Sequence, residues 1–319
     1  MNAKTFRKLT DILAFWGKVF TKLHIFVLSV LIFKMKDKLV LHYIEKKYGN
    51  FIDALLKRNL ETKKSETPIW VCWLQGEENA PELVKKCIAS IRANANGHKV
   101  NVITEDNLSE FVQIPDYVIR NVAENKLSRT SYSDIIRSFL LAEYGGIWID
   151  ATFFITQNLP ERYFNSVVFS AAKQPEPKNR RAVCISEYRW TGSFIGCNIC
   201  NYSLFTFLKD FFVEYEKNEI VFIDYLLIDY LIFIAFSRSR KIHDDITAIP
   251  DNNIDFGWLF HAMNDYYDEQ KAKEMFFGET FCYKLSYKIG WKISKKDKKT
   301  FYGAFLDGFA FLPDSGGRM

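Results

Sequence analysis

Residues 131–152 read Ser-Tyr-Ser-Asp-Ile-Ile-Arg-Ser-Phe-Leu-Leu-Ala-Glu-Tyr-Gly-Gly-Ile-Trp-Ile-Asp-Ala-Thr, and no other stretch constrains this chain as much. Ser133 suits a helix N-cap, and Ile135, Ile136, Phe139 and Leu140 supply apolar residues at helical spacing. Gly145 and Gly146 stop that helix, because glycine accepts positive φ. Ile147, Trp148 and Ile149 then read as a short buried strand, and Asp150 is the first polar residue after it. Ligands of open α/β sheets lie outside the carboxyl ends of the strands, so an acid at that point is a functional candidate.

The flanking sequence keeps the same rhythm. Ile69–Leu74 is an apolar run of strand type closed by Gly76, and Pro81 starts a helix through Leu83, Val84, Cys87, Ile88 and Ile91. Val100–Ile103 reads as a second strand, and 115–122 as a short helix. This alternation predicts a mixed, mainly parallel sheet with helices on its faces. Further on, 167–170 and 183–185 suit strands around a polar, proline-bearing loop, and 204–215 and 220–236 suit helices. Residues 276–299 are aromatic, basic and loop-like. No Walker loop or GxGxxG strand turn is present, which removes support for nucleotide-triphosphate hydrolysis and dinucleotide binding.

The N-terminal part differs. Residues 1–64 hold 14 Lys/Arg against 5 Asp/Glu, a charge of +9, whereas the remainder holds 29 against 33, or −4. An acidic remainder argues against a nucleic-acid partner. Apolar residues from Phe6 to Leu31 follow a helical period, and 39–60 makes a second helical piece ending in the polar stretch 61–68. The longest uncharged run, Leu23–Phe33, is too short for a bilayer span of about 20 residues. Two readings stand: an amphipathic helix in the membrane interface, or helices packed on the following domain. The basic flanks favour contact with an anionic membrane surface. The expected division is a helical, basic, membrane-associating segment at 1–65 and an α/β domain at 66–319. The six cysteines, with no small-residue cleavage site, read as reduced and cytosolic. Cys197-Asn-Ile-Cys200 lacks the second pair or nearby histidine that a zinc site needs.

Three segments taken in order, Ile69-Trp-Val-Cys-Trp-Leu-Gln-Gly76, Ser133-Asp-Ile-Ile-Arg137 and Tyr144-Gly-Gly-Ile-Trp-Ile-Asp150, resemble the capsular polysaccharide synthesis glycosyltransferases. Glucosylating clostridial toxins and yeast mannosyltransferases share the same SDxxR…GGxxxD core. The resemblance runs from about residue 68 to 160, and more loosely through 190–230 and the tail. It implies a GT-A-like fold and transfer of a hexose, galactose or glucose foremost, from a UDP-sugar with retention of configuration. The implied acceptor is an undecaprenyl-diphosphate-linked saccharide at the inner face of the cell membrane. Two rival readings are a catalytically silent membrane- and glycan-binding scaffold, and a GDP-sugar mannosyl transferase.

The resemblance also implies roles for particular residues. Asp150 would sit beside ribose, diphosphate and a Mn²⁺ or Mg²⁺ ion, with Thr152 where a second aspartate is usual and Ser286 as a further metal ligand from the tail. A hydroxyl is a weaker ligand for such hard cations than a carboxylate. Asp134 and Arg137, three apart on one helix face, would hold the donor sugar and diphosphate. Trp73, Gln75 and, less directly, Asn107 would face the base and ribose. Lys284 and Lys288 would close over the phosphates. Asp224 is carried as a catalytic candidate, and it or Asp229 could touch acceptor hydroxyls, because an otherwise apolar helix seldom holds two acids without a polar cavity.

Overall fold

The computed structural model describes residues 2–171, 173, 184–219 and 221–312. Two long helices, α1 (Ala3–Lys22) and α2 (Phe26–Leu56), form a hairpin. Then β1 (Lys63–Lys64), β2 (Ile69–Cys72), α3 (Glu82–Ala93), β3 (Val100–Ile103), α4 (Leu108–Phe111), α5 (Asp116–Ala123), α6 (Arg129–Tyr144) and β4 (Gly146–Ile149) lead to Asp150. Past it come β5 (Phe153–Ile155), α7 (Glu161–Asn165), β6 (Phe169–Ser170), β7 (Phe194–Cys197), β8 (Ile199–Cys200), α8 (Ser203–Asn218), α9 (Leu227–Arg238) and α10 (Arg240–Thr247). The remainder adds α11 (Trp258–Ala262), α12 (Glu269–Phe276), β9 (Cys282–Lys284), β10 (Ser294–Lys295), β11 (Lys298–Lys299) and α13 (Phe301–Asp307).

The central sheet runs β3-β2-β4-β7-β6. Strands β3, β2 and β4 are parallel, and β7 runs antiparallel to both β4 and β6. Four strands therefore point one way and β7 the other, a mixed α/β sheet of the expected kind. Both faces are covered, so the strands are apolar on both sides rather than alternating. Trp70, Trp148 and Ile195 pack with α2, α6, α8 and α9 on one face. Ile69, Val71, Ile147, Ile149 and Phe194 pack against α3 and the α11–α13 region on the other.

The turn before β4 needs its glycines. Gly145 and Gly146 have φ of 63° and 87°, and a Cβ on Gly146 would lie 2.2 Å from the Pro68 carbonyl oxygen. That clearance lets β4 slide in beside β2 and carry Asp150 to the sheet's edge of carboxyl ends.

Four boundaries differ from the sequence reading. The α6 N-cap is Ser128, whose hydroxyl accepts from the Ser131 N–H, so Ser133 lies within the helix. The hairpin turns at Leu23–Ile25, with His24 in the left-handed region, and α2 continues unbroken through Lys34, Lys36 and Lys38. Helix α9 starts only at Leu227, because the Asp224 carboxylate takes the Leu226 N–H and holds 221–226 in an irregular path; Ile220 lies outside the described residues. Cys184 and Ile185 form a turn rather than a strand, and Val183 is likewise outside the described residues. The strand that does pair beside β4, Phe194–Cys197, carries Gly196 and has little alternation to reveal it.

The 65/66 division marks a change from helical hairpin to sheet, but the two parts share one core. Phe6, Val40, Ile44, Tyr48 and Ile52 belong to the same apolar cluster as α6, α8 and α9.

Candidate active site

Asp150, directly after strand β4, lines a cleft of about 420 Å³. The cleft wall includes Trp73 and Gln75 after β2, Arg129, Ser133 and Arg137 from α6, Asp150 and Thr152, and Lys284, Ser286 and Lys288 from the tail. Eight of the residues singled out in the sequence thus meet in one place, although 215 positions separate the first from the last. The local reason for the tail's arrival is backbone pairing. Strand β9 runs antiparallel to β5, with Lys284 opposite Phe153, and the Leu285 N–H donates to the Thr152 carbonyl at 2.9 Å.

Asp150 is the electrostatic centre. Lys284 Nζ donates to its Oδ2 at 2.6 Å. Trp148 Nε1 and Arg137 Nη2 donate to its Oδ1 at 2.8 Å and 3.3 Å. Burial alone would raise this carboxyl, yet Lys284 and Arg137 outweigh it and hold the group below the usual carboxylate range. Asp150 is therefore ionised at neutral pH.

Arg137 is buried and shared. Its Nη2 also lies 3.2 Å from Asp134 Oδ1, its Nη1 donates to the Gly192 carbonyl, and its guanidinium stacks 4.8 Å from the Trp148 ring centre. Asp134 itself sits behind the cleft wall. Burial, with the nearby Asp150 and Asp229 charges, overcomes Arg137 and pushes its carboxyl up to about 7. Asp229, which accepts from Trp190 Nε1 at 3.0 Å, is pushed up to about 6, chiefly by burial. One guanidinium is thus flanked by an acid held ionised and an acid that holds its proton far longer.

The cleft wall carries four cationic side chains, Arg129, Arg137, Lys284 and Lys288, against one carboxylate, Asp150. Two of its residues keep a buried N–H with no hydrogen-bond partner, Arg137 Nε and Trp73 Nε1. Orphaned buried donors are rare in folded proteins, and at a cleft they suit the oxygens of a ligand. Trp73 meets Tyr287 edge to face, with centroids 5.2 Å apart, which gives the cleft an aromatic wall.

Among the described residues no three His, Cys, Asp or Glu side chains are grouped to hold a metal. Asp150 is the cleft's one carboxylate, both its oxygens already accept from Lys284, Arg137 or Trp148, and Thr152 and Ser286 add only hydroxyls. As arranged, both Asp150 oxygens are engaged by protein donors, and the positive charge next to Asp150 comes from the Lys284 and Arg137 side chains.

Besides Asp134 and Asp229, which stand behind the wall, two more expected residues do not line the cleft. Asn107 is spent on its own turn: its Oδ1 accepts from the Thr104 N–H and its Nδ2 donates to the Val102 carbonyl. Asp224 does not line the cleft; it is buried against Lys36 of α2 at 2.9 Å. Its neighbour Tyr225, passed over in the sequence, faces the cleft instead, and so do Arg129 and Tyr287. Each of the three lies within two residues of one that chemistry singled out or of the motif's edge, but an exposed Tyr or Arg has no distinguishing pattern by itself. A larger cavity of about 980 Å³ between α4, α5 and the start of α6 shares Arg129 with the cleft, but its other charged groups, Glu105 and Asp116, are acidic.

Comparison with known families gives a match over residues 21–305 to the family described as capsular polysaccharide synthesis protein. No curated protein matches the chain.

Proposed function

The chain belongs to the capsular polysaccharide synthesis protein family, and from that premise we propose that the Asp150 cleft is the donor site of a retaining, GT-A-type glycosyltransferase. It moves a hexose from a UDP-sugar to a lipid-linked saccharide during capsule polysaccharide assembly. The observation that carries the reading is the Asp150 carboxylate, clamped between Lys284 and Arg137 in a cleft with four cations and an aromatic wall.

The chemistry follows from charge. When the bond from the anomeric carbon to the diphosphate breaks, negative charge grows on the departing phosphate. Lys284, Lys288 and Arg129 supply fixed positive charge for it, which stabilises the transition state more than the ground state. Trp73 and Tyr287 offer ring faces for the base, and stacking of this kind contributes about 1–3 kcal/mol. Asp150 holds Lys284 and Arg137 in place and accepts hydrogen bonds from donor hydroxyls.

Release of nucleoside diphosphate from UDP-glucose, UDP-galactose and GDP-mannose tests the assignment. Asp150→Asn is expected to lower UDP release by about 10²–10³-fold with the melting temperature little changed, since the exchanged amide keeps an oxygen for Trp148. Retained turnover in that variant would remove Asp150 from the chemistry. Release from GDP-mannose alone would redirect the reading to a mannosyl donor, and no release from any donor would favour a binding scaffold.

A further inference from the structure

The outer half of the α1–α2 hairpin is built inside out. Phe15, Trp16, Leu23, Val27, Leu31 and Met35 are exposed, Phe15 at 61% and Val27 at 77%. The small and polar residues face inward instead. Gly17 lies so close to Phe33 that a Cβ there would sit 2.7 Å from its ring. Ser29 Oγ donates to the Gly17 carbonyl at 3.0 Å, and the Thr21 and Ser29 hydroxyls are 2.7 Å apart. Helices packed through Gly, Ser and Thr with large apolar residues outward have the arrangement favoured where the surroundings are lipid, because polar groups must then be satisfied between the helices. The inner half is conventional: Phe6, Val40, Ile44, Tyr48 and Ile52 are buried on the α/β body.

Charge points the same way. Residues 12–36 contain four lysines and no acidic residue, and Lys18, Lys22 and Lys34 are exposed around the apolar tip. Among the described residues no helix is long and apolar enough to cross a membrane. From Phe15 to the turn is roughly 12–15 Å of helix at 1.5 Å per residue, enough to enter one leaflet and too short to pass a core of about 30 Å.

We infer that the hairpin tip is a docking wedge for an anionic lipid bilayer: Phe15, Trp16, Leu23, Val27 and Leu31 enter the headgroup–acyl boundary while Lys18, Lys22 and Lys34 engage acidic headgroups. Apolar burial supplies the insertion and the lysines the preference for negative lipid. The inference stands on the hairpin alone and does not depend on the donor-site reading.

Flotation of the full chain with vesicles tests it, using phosphatidylcholine alone and phosphatidylcholine mixed with phosphatidylglycerol. The wild type is expected to float mainly with the mixed vesicles. Phe15→Ser/Trp16→Ser/Val27→Ser, all at exposed positions, is expected to lose more than tenfold in association with both. Lys18→Glu/Lys22→Glu/Lys34→Glu is expected to lose the preference for phosphatidylglycerol. Failure of the wild type to float, or unchanged flotation of the serine variant, overturns the proposal. So does a lipid-free dimer, by light scattering, that the serine variant converts to monomer, since a second copy would then cover the tip. UDP release measured without vesicles separates this outcome from the fate of the donor-site assignment.

Discussion

Two lysine–aspartate pairs in this molecule look alike in distance and differ in everything else. Lys36 and Asp224 meet at 2.9 Å with side chains only 5% and 6% exposed. Lys284 and Asp150 meet at 2.6 Å with side chains 29% and 28% exposed. The first pair is closed. Asp224 gives its other oxygen to the Leu226 N–H, and Lys36 lies over the Tyr230 ring. Around it, Arg7 donates to the Phe222 carbonyl and Thr10 to the Ile223 carbonyl, so the hairpin grips the segment that presents Tyr225 to the cleft. The second pair is open, shared with Arg137 and lined up on a cavity. The contrast separates a fastening from a working site: both are charged and largely buried, but only one leaves room for a third party.

The largest expected effect tests the closed pair. Lys36→Met leaves an uncompensated buried carboxylate and is expected to cost about 3–5 kcal/mol, read from urea unfolding. Lys36→Met combined with Asp224→Leu is expected to recover a large part of that loss, as buried pairs replaced by apolar groups often do. If the single variant unfolds like the wild type, the pair is not the fastening described, and its likeness to the open pair would need another explanation.

The open pair should respond differently. Lys284→Ala is expected to leave unfolding almost unchanged, because both partners reach water. Its effect should fall on transfer: loss of a charge-assisted hydrogen bond of about 1.5–3 kcal/mol, made mainly as the phosphate departs, lowers kcat/KM for the UDP-sugar roughly 10–100-fold, chiefly through kcat. EDTA should leave most turnover intact. If EDTA abolishes turnover while Lys284→Ala does not, the comparison breaks, and the cation in the cleft would be a metal ion on Asp150, Thr152 and Ser286 rather than a lysine.

The same contrast explains what was legible beforehand. Helix α6, the glycine turn and strand β4 could be read because local rules agree there: helical spacing, a glycine stop, and an apolar run ended by an acid. Asp150, Arg137 and Trp73 come together because the parallel order of β2 and β4 brings their carboxyl ends to one edge. The tail's resemblance points to Lys284, but only the β5–β9 pairing sets it against Asp150, and two three-residue strands carry almost no periodic signal. Asp224 misled for a related reason. A buried acid in an apolar stretch must have a partner, and the sequence has no means of showing that the partner lies 188 residues earlier on the hairpin. Asn107 misled because a turn can use all of a side chain that a ligand might have used. The inverted packing of the hairpin tip was invisible too, since helical periodicity shows a stripe but not which stripe faces the other helix.

The smallest effect sharpens the comparison at its meeting point, Arg137, which touches both Asp134 and Asp150. Asp134 ionises near 4 in an unfolded chain and at about 7 in the folded one, raised first by burial and then by Asp150 and Asp229 against the pull of Arg137. Between those values the folded state holds a proton that the unfolded state has released. Folding therefore takes up a proton, and this group costs stability progressively as pH rises through that window; the cost is absent below about 4 and complete above about 7. Asp134→Asn removes it. The stability of the variant relative to wild type should climb between about pH 4 and 7 and level off on either side, read from urea midpoints at matched ionic strength. Asp229 and Glu216 are raised in the same direction but occur in both proteins and cancel in the difference to first order. A difference that stays flat with pH would mean that Asp134 is ionised throughout. Arg137 would then be divided between two carboxylates, and the cleft would present one less free positive charge to a diphosphate than its lining suggests.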